Sequence, residues 1–284
     1  MNKKNLWVAL PDSLLSDALS LRDKTIKIGM IARICSIFKV NKIFFYYDKT
    51  SNFHDFELMK IILDYLETPQ YLRKHIFSKR NELQYAGLLP PLRTPHHKLV
   101  EKLSDIKVGD FREGIIIKKG DNYYADVGLS QLILIEGKIS KDSRISVKFT
   151  SSFPNIRCKI IERDEIDLYW GYEVIKTNSL KDLINNINAD IFIITSRKGI
   201  PIKNIWQTFI SDIQKALSII VVFGSPKSSV QNILLSEKIQ PEDVSQYILN
   251  ILPDQGTATI RTEEALLGTL SILNLVKNIS SYIE

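Results

Sequence analysis

Cysteine is scarce in this sequence of 284 residues, which contains only Cys35 and Cys158. Two cysteines form at most one disulfide bond, and a chain of this length needs no disulfide scaffold, so we expect two free thiols in a reducing compartment. Long apolar runs are also missing: "LWVAL" at 6–10 is interrupted by Pro11 and Asp12, and no stretch approaches the roughly 18 residues of a membrane span. The sequence therefore predicts a cytoplasmic protein with no membrane partner.

The short motifs of several enzyme classes are missing as well. There is no G-x-x-x-x-G-K-[ST] sequence, which argues against a P-loop nucleotide hydrolase. No G-x-G-x-x-G follows the first predicted strand, which argues against a Rossmann dinucleotide site and against a Rossmann-type methyltransferase. No G-x-S-x-G elbow supports a nucleophilic serine. The four histidines, His54, His75, His96 and His97, are not spaced as zinc ligands, so we predict no metal site.

What the sequence does contain is the composition of a globular protein, with 44% hydrophobic and 25% charged residues. Strand-like apolar runs alternate with helical spacing before about residue 70 and again after about residue 170, and this alternation indicates an α/β sheet with helical crossovers. Strands are predicted at 6–10, 42–47, 172–176, 190–196, 219–225 and 247–252, and helices at 27–39, 55–67 and 179–187.

Residues 92–167 interrupt the alternation. This segment consists of short β-rich runs separated by Gly, Asp and Ser, and Lys-Gly-Asp-Asn at 119–122 is a hairpin signal. We therefore predict a small OB-like β-barrel, inserted into an α/β domain made of residues 1–91 and 168–284. Five-stranded barrels of the OB type commonly bind oligonucleotides, although a fold alone does not assign a function.

Positive charge is concentrated in one segment. The formal net charge of +6 comes almost wholly from residues 70–119, where basic and aromatic side chains are interleaved. Arg and Lys pair with phosphates and flat rings stack on unpaired bases, so this mixture suits single-stranded or looped RNA. The alternative is a solvated helix face whose aromatic side chains belong to the core. The candidate RNA-binding residues are Arg73, Lys74, Lys79, Arg80, Arg93, His96, His97 and Arg112.

Three loops in the C-terminal half share one composition. The segments 194–199, 222–229 and 252–265 each follow an apolar strand and are rich in Gly, Ser, Thr and Pro. Open α/β sheets bind ligands beyond the carboxyl ends of their strands, so these loops predict a ligand site. The glycines would let backbone approach a ligand closely, or they are simple turns. Thr262 is a predicted helix N-cap, followed by acidic residues in the first turn.

The chain also contains, in order, the segments "ALPDSLL", "IARICSIFKV", "LETPQYLRKHIF", "LQYAGLLPPLRTPHH", "FREGIII", "VFGSP" and "DQGTATIRTEEALL". In these segments, and over nearly its whole length, it resembles the SPOUT, or α/β-knot, class of S-adenosylmethionine-dependent RNA methyltransferases. Within that class it is similar to the archaeal and eukaryotic family of RNA uridine-N3 methyltransferases with an inserted OB-like domain. "IRTEEA" at 260–265 also resembles the Leu-Arg-x-Glu-Thr-Ala block of bacterial rRNA uridine-N3 methyltransferases, with Glu264 where those enzymes have Thr.

The resemblance implies a trefoil knot over about 190–265, a homodimer, and S-adenosylmethionine as the cofactor held by the three loops. It implies that main-chain groups of the loop at 252–257 clasp this cofactor and that the last helix begins at 261–263. The cofactor-binding residues expected on this basis are Thr195, Ser196, Arg197, Gly199, Phe223, Gly224, Ser225, Pro226, Leu252, Pro253, Gln255, Gly256, Thr257 and Thr262.

The implied activity is methylation of N3 of a uridine in ribosomal RNA. The imide nitrogen is a poor nucleophile until its proton leaves, and a nearby cation favours the anion. The predicted catalytic residues are Arg33 and Arg261 as sources of that cation, with Glu263 orienting one of them. Other roles stay open: Arg33 as a salt-bridged helix residue and Arg197 as a phosphate ligand. The alternative functions are a non-catalytic RNA-binding or ribosome-assembly factor, and methylation of pseudouridine or another base on the same scaffold.

Overall fold

The computed structural model describes residues 4–49, 53–98, 102–137, 139 and 144–279. The strands are β1 (Asn5–Pro11), β2 (Lys42–Tyr46), β3 (Phe111–Lys119), β4 (Asn122–Asp126), β5 (Ile133–Glu136), β6 (Arg144–Ser151), β7 (Arg157–Ile161), β8 (Glu173–Thr177), β9 (Ile191–Pro201), β10 (Ser218–Val222) and β11 (Tyr247–Asn250). The helices are α1 (Leu21–Ile37), α2 (Phe53–Glu67), α3 (Gln70–Ile76), α4 (Leu180–Asn186), α5 (Trp206–Lys215), α6 (Val230–Ser236), α7 (Pro241–Val244) and α8 (Thr262–Asn278).

The described chain divides into two compact units. The first, the sheet unit, consists of residues 1–64, 82–90 and 172–284, and the second, the barrel unit, consists of residues 65–81 and 91–171. All five strands of the barrel unit fall inside the segment 92–167 that the sequence predicts as an insert. The unit additionally takes in residues 65–81, which carry α3.

The sheet unit contains a six-stranded parallel sheet with the order β11-β9-β10-β1-β2-β8. Consecutive residues Val8, Ala9 and Leu10 of the central strand β1 have no exposed surface. Because successive side chains of a strand point to opposite faces, both faces of the sheet are covered. One face packs on apolar side chains of α4 and α6, while α8 packs against α1 and α5. The predicted α/β sheet is confirmed.

Helix α1 illustrates how local chemistry sets the boundaries of an element. The sequence predicts a helix at 27–39, but α1 begins six residues earlier because the Ser20 side chain accepts a hydrogen bond from the backbone N–H of Asp23. It ends where Lys39 adopts a φ of 57°. Its buried face includes Gly29, where a Cβ would lie 2.5 Å from the Leu89 side chain.

The barrel unit is a closed five-stranded barrel with the order β3-β4-β5-β7-β6. β5 and β7 pair in parallel, and the other neighbouring strands are antiparallel. The predicted hairpin is confirmed, since β3 ends at Lys119, β4 begins at Asn122, and Gly120 supplies the positive φ of 60° that the turn requires. Inward side chains such as Val127, Val147 and Phe149 fill the barrel.

Candidate functional site

A cleft of about 620 Å³ lies in the sheet unit, where the chain leaves the carboxyl ends of four strands. The segment 195–199, which the sequence predicts as part of a loop, instead lies within β9, where the pairing of β9 with β11 shifts register. It meets there with the loops after β10 and β11, the loop after β1 and the beginning of α8. This is the edge at which parallel α/β sheets place their ligands. The lining residues are Asp17, Thr195, Ser196, Arg197, Phe223, Gly224, Ser225, Pro226, Lys227, Ser228, Ser229, Leu249, Asn250, Ile251, Leu252, Gln255, Thr259, Ile260, Arg261, Thr262, Ala265 and Thr269.

Side-chain hydrogen bonds tie the loops around the cleft to one another. Thr195 Oγ1 donates to the carbonyl oxygen of Val222 at 2.9 Å, which joins the end of β9 to the end of β10. Asn250 Nδ2 donates to the Arg197 carbonyl oxygen at 3.0 Å, and the Arg197 guanidinium donates to the Ala258 carbonyl oxygen at 2.7 Å. These bonds hold the segment 195–199 of β9 to β11 and to the loop that follows it, so the walls of the cleft are ordered.

The loop after β10 is shaped by its own hydroxyl groups. The Ser225 backbone N–H donates to the Ser228 carbonyl oxygen at 2.8 Å, and the Ser228 N–H donates to Ser225 Oγ at 2.9 Å. Ser229 caps α6 by accepting from the N–H of Asn232. At the base of the loop, the buried hydroxyl of Tyr46 donates to the Phe223 carbonyl oxygen at 2.6 Å. The loop thus presents main-chain and hydroxyl groups from a fixed frame.

The loop after β11 is closed by side chain to backbone bonds of its own. Gln255 Nε2 donates to the Thr257 carbonyl oxygen at 2.9 Å, and Thr257 Oγ1 donates to the Thr259 carbonyl oxygen at 3.0 Å. The prediction of Thr262 as the N-cap of the last helix is wrong by one residue. Arg261 occupies the cap position, because the Glu264 carboxylate accepts its backbone N–H at 2.8 Å and Thr262 is already helical.

Most of the predicted cofactor-binding residues line one cleft. Ten of the fourteen do so, and the exceptions are Gly199, Pro253, Gly256 and Thr257. Packing of the protein on itself explains two of the glycines: a Cβ on Gly199 would lie 2.7 Å from the Ile248 carbonyl oxygen, and one on Gly224 would lie 2.9 Å from that of Ser228. Gly256 has no atom within 4 Å of such a Cβ. At Gly199 and Gly224, contacts within the protein already require a residue without a Cβ.

The predicted catalytic residues do not all face the cleft. Arg261 lines it, whereas Arg33 is a half-buried residue of α1 and Glu263 is a buried residue of α8. Glu263 Oε2 lies 3.3 Å from Nζ of the buried Lys27, and the same Nζ lies 2.6 Å from Asp17 Oδ1. Asp17 lines the cleft and was missed from the sequence. A signal for it exists, since it lies in the loop that follows the first strand of a parallel sheet.

The predicted RNA-binding residues divide by exposure. Lys74, Lys79, Arg80 and Arg93 are exposed. His96 and Arg112 are 0% and 1% exposed, so in this structure neither side chain lies on the surface. His96 is buried because its Nε2 bonds the Glu67 carbonyl oxygen at 2.8 Å. Arg112 is buried because its guanidinium donates to the Val127 carbonyl oxygen.

Two further predicted RNA-binding residues, Arg73 and His97, make contacts within the protein. Arg73 is half-buried, donates from Nε to the Thr68 carbonyl oxygen at 2.9 Å, and lies over the Tyr65 ring at 4.4 Å. His97 is also half-buried, and its Nε2 lies 2.7 Å from the Glu67 carbonyl oxygen. Both side chains contribute to the packing of the barrel unit, in line with the structural alternative for this segment.

A buried ionic network occupies the barrel unit. Arg144 bridges the carboxylates of Glu67 and Glu113, and Glu113 also accepts from Ser146 and the indole N–H of Trp170. Burial by itself raises the pKa of Glu67, but the charge of Arg144 and a hydrogen bond from His96 outweigh it and lower the pKa to about 2. Burial likewise opposes the ionised form of Glu113, and the charge of Arg144 lowers its pKa nonetheless.

The pKa of His97 is lowered, whereas an ion-pair partner would raise the pKa of a histidine. Burial, reinforced by the neighbouring His96, lowers the pKa of His97 from 6.5 to about 4, so the ring is neutral in the folded protein near neutrality. Within the described residues, no group of three or more His, Cys, Asp or Glu side chains is placed to hold a metal ion. In the same part of the chain, no helix has the length and apolar character to cross a membrane.

The fold defines an α/β protein with a parallel sheet, a separate five-stranded barrel, and a cleft at the carboxyl edge of the sheet. The model of a family described as "Putative RNA methyltransferase" matches residues 5–273. The chain belongs to this RNA methyltransferase family.

Named relatives agree with that assignment. The chain is 31% identical to a Drosophila melanogaster 28S rRNA (uridine-N(3))-methyltransferase over 96% of its own length and 62% of the relative's. It is also 31% identical to the human protein of the same name, over 94% of this chain and 77% of that one. An uncharacterised protein of Halobacterium salinarum is 29% identical over 95% of this chain and 99% of its own length. The chain thus spans less than two thirds of the fly enzyme.

Proposed function

We propose that the protein transfers a methyl group from S-adenosylmethionine to N3 of a uridine in ribosomal RNA. The observation that carries the proposal is the meeting of three segments, 195–197 of β9 and the loops after β10 and β11, in one cleft of a member of an RNA methyltransferase family. The names of the fly and human relatives supply the base and the RNA. S-Adenosylmethionine would provide a methyl group on a positively charged sulfur.

The cleft fits this cofactor in size and chemistry. Its volume of about 620 Å³ falls within the range of roughly 300–1,000 Å³ typical of small-molecule sites. Leu249, Ile251, Leu252 and Ile260 give it an apolar wall suited to a purine ring. Hydroxyl and amide side chains on the same loops suit ribose hydroxyls, and the guanidinium of Arg197 or Arg261 suits a carboxylate.

We propose the finer fold assignment as well, a trefoil knot over about 190–265 and an OB-like barrel. The sheet order supports the knot, because β11 lies beyond β9 at the sheet edge and the chain then runs through the cleft loop into α8, which packs on α1 and α5. The closed five-stranded barrel supports the OB-like assignment. The exposed Lys74, Lys79, Arg80 and Arg93 are proposed to contact RNA phosphates.

A homodimer is the proposed assembly. Helices α1 and α8 pack together, and each exposes large apolar side chains: Met30 is 47% and Ile37 56% exposed on α1, and Leu267 is 45% and Leu275 53% exposed on α8. Apolar area of this kind marks protein contact surfaces. Light scattering should give the mass of two chains, and Leu275→Glu should give one. Leu235→Glu on α6, at a residue that is 50% exposed, is the matched control and should remain dimeric.

For catalysis we propose that Arg261, at the cleft, stabilises the uracil anion. Arg33 has the same role only if bound RNA brings the base to α1, since Arg33 does not line the cleft.

A cytoplasmic location is also proposed, which suits the two free cysteines. Fractionation of cells should recover the protein with soluble ribosomal factors.

Two measurements test the proposed reaction. Calorimetry with S-adenosylmethionine should show binding in the micromolar range, about −8 kcal/mol. Nucleoside mass spectrometry of ribosomal RNA from a deletion strain, before and after treatment with the purified protein, should show N3-methyluridine appearing on treatment. RNA binding without cofactor binding would contradict the proposal and favour a non-catalytic RNA-binding factor. A methylated pseudouridine or other base would contradict the assignment of uridine N3.

A further inference from the structure

The cleft contains one acidic side chain among its described lining residues. That residue is Asp17, and the charged residues that share the lining with it are Arg197, Lys227 and Arg261. Of the other carboxylates on these loops, Glu263 is buried, Glu264 accepts the backbone N–H of Arg261, and Asp254 does not line the cleft. A reaction that removes a proton within this cleft therefore has one carboxylate at hand.

The loop that carries Asp17 is held firmly to the sheet. It begins at the end of β1, the strand next to β10, and Leu14 and Leu15 have no exposed surface. The backbone N–H of Asp12 donates to the Tyr46 carbonyl oxygen at 2.9 Å, and Ser13 Oγ donates to the buried carboxylate of Asp48. Asp17 is thus presented to the cleft by a rigid support, as a catalytic group requires.

The carboxylate of Asp17 is itself oriented by a buried cation. Its Oδ1 accepts from Lys27 Nζ at 2.6 Å, and Lys27 is in turn 3.3 Å from Glu263 Oε2. Among the described residues Asp17 Oδ2 makes no hydrogen bond, and the side chain is 36% exposed. The three groups carry one net negative charge when all are ionised, so a proton added to Asp17 brings them to neutrality.

We propose that Asp17 is the base that accepts the N3 proton of the target uridine, with Lys27 and Glu263 as positioning residues. The proposal rests on the uridine-N3 activity proposed above. The N3–H bond breaks and its proton passes to Asp17 Oδ2. The electron pair left on N3 forms the bond to the methyl carbon, while the bond from that carbon to sulfur breaks and its pair stays on sulfur. Asp17 then releases the proton to solvent, to which it is exposed.

The first test separates proton acceptance from cofactor binding. Asp17→Asn keeps the shape and removes the base, and Asp243→Asn, at an exposed acid of α7, is the control for loss of one negative charge. We expect Asp17→Asn to bind S-adenosylhomocysteine within about threefold of the wild-type Kd by calorimetry, while its single-turnover methylation rate falls about 100-fold or more. Asp17→Glu should retain more activity than Asp17→Asn, and Asp243→Asn should match the wild type.

The second test changes the acidity of the imide N–H of the target uridine. A transcript with 5-fluorouridine at the target position has a more acidic imide and depends less on a protein base. Its use should shrink the Asp17→Asn defect by about tenfold, and the rise of rate with pH should steepen in the variant. Full activity of Asp17→Asn would overturn the proposal, and so would a rate loss matched by lost S-adenosylhomocysteine binding. A wild-type protein that neither binds the cofactor nor methylates RNA would instead overturn the proposed function itself.

Discussion

The cleft of the sheet unit and the centre of the barrel unit use charged residues in opposite ways. In the barrel, Glu67 and Glu113 are buried, and the half-buried Arg144 pairs with both of them. Around the cleft, Arg197 and Arg261 are exposed and Asp17 is partly exposed, although Arg197 and Asp17 each keep one structural bond. A charge whose partners are all internal supports the fold, whereas a partly exposed charge in a preformed cleft can act on a ligand.

The same difference corrects the interpretation of the basic segment. Alternation of basic and aromatic residues at 70–119 indicates RNA binding, yet part of the set builds the barrel unit instead. Arg73 lies over Tyr65, and His96 and His97 both bond the carbonyl oxygen of Glu67. Basic residues in a sequence therefore include both surface residues and residues with partners inside the protein, and only burial and hydrogen bonding distinguish the two.

The largest effect is expected from breaking the buried network. Glu113→Ala removes the acceptor shared by Arg144, Ser146 and Trp170 and leaves a largely buried guanidinium without one partner, so the free energy of unfolding should fall by about 3–5 kcal/mol. Glu136→Ala, which removes an exposed partner of Arg157 on the same barrel, is the control and should unfold like the wild type. Urea unfolding measures both.

Cofactor affinity tests whether the Glu113→Ala effect is confined to the barrel unit, because every lining residue of the cleft belongs to the sheet unit. Molecules of Glu113→Ala that remain folded should bind the cofactor as the wild type does. Equal stability of Glu113→Ala and Glu136→Ala would show that the network contributes nothing to the fold.

Acid should weaken the barrel unit in two steps. His97 has a pKa of about 4 when folded against 6.5 ordinarily, so the unfolded chain takes up this proton first and stability is lost as pH falls from 6.5 towards 4. Glu67 has a pKa of about 2 in the folded protein against 4.5 ordinarily. Its ionised form therefore adds stability above pH 4.5, and this stability is lost as pH falls from 4.5 towards 2.

The first of these steps can be isolated by substitution. Between about pH 7 and pH 5 we expect the wild type to lose of the order of 1–3 kcal/mol, and His97→Gln to lose less, by urea unfolding at each pH. Parallel pH curves for the two proteins would exclude His97 as the source.

A pair of glycines tests the cleft loops. Gly224→Ala places a Cβ 2.9 Å from the Ser228 carbonyl oxygen and must shift the loop after β10, so the Kd for S-adenosylmethionine should rise about tenfold, or about 1.4 kcal/mol. Gly256→Ala meets no atom within 4 Å and should leave the Kd unchanged. Calorimetry on both variants decides, and a larger effect at Gly256 would reverse the assignment of which loop is constrained.

The smallest effect is expected at the surface. Lys79→Ala should weaken RNA binding about threefold at low salt, and should reduce the slope of log K against log salt by about 0.7–0.9 for one lost phosphate contact. Lys215→Ala, at an exposed lysine of α5, is the matched control. Identical salt slopes for the two variants would remove Lys79 from the RNA-binding surface.

Much of the fold follows from the sequence, and the reasons are local. Apolar runs such as 219–225 predict buried parallel strands, and the turn at 119–122 predicts a hairpin, because periodicity and turn chemistry act over a few residues. The convergence of the segments 194–199, 222–229 and 252–265 also follows, from the rule that ligand sites form at carboxyl strand ends. That 194–199 belongs to β9 does not follow, because its pairing with β11 is a long-range contact.

What the sequence did not reveal depends on contacts between distant residues. Asp17 was missed because its partner Lys27 and its place in the cleft arise only when the loop after β1 folds back to the sheet edge. The burial of His96 and Arg112 could not be predicted, because a hydrogen bond to a distant backbone carbonyl leaves no pattern in the sequence. The close approach at Gly199 is of the same kind, because the nearest atoms to a Cβ there belong to the backbone of Ile248 and Leu249 in β11.

Trp170 gives the barrel unit an intrinsic optical reporter. Its indole is 4% exposed, lies 5.6 Å from the His96 ring and donates to Glu113, so its fluorescence should change when that core opens. The other two tryptophans, Trp7 and Trp206, belong to β1 and α5 of the sheet unit. Replacing those two with phenylalanine leaves Trp170 as the remaining tryptophan, so the tryptophan emission then reports the melting of the barrel unit.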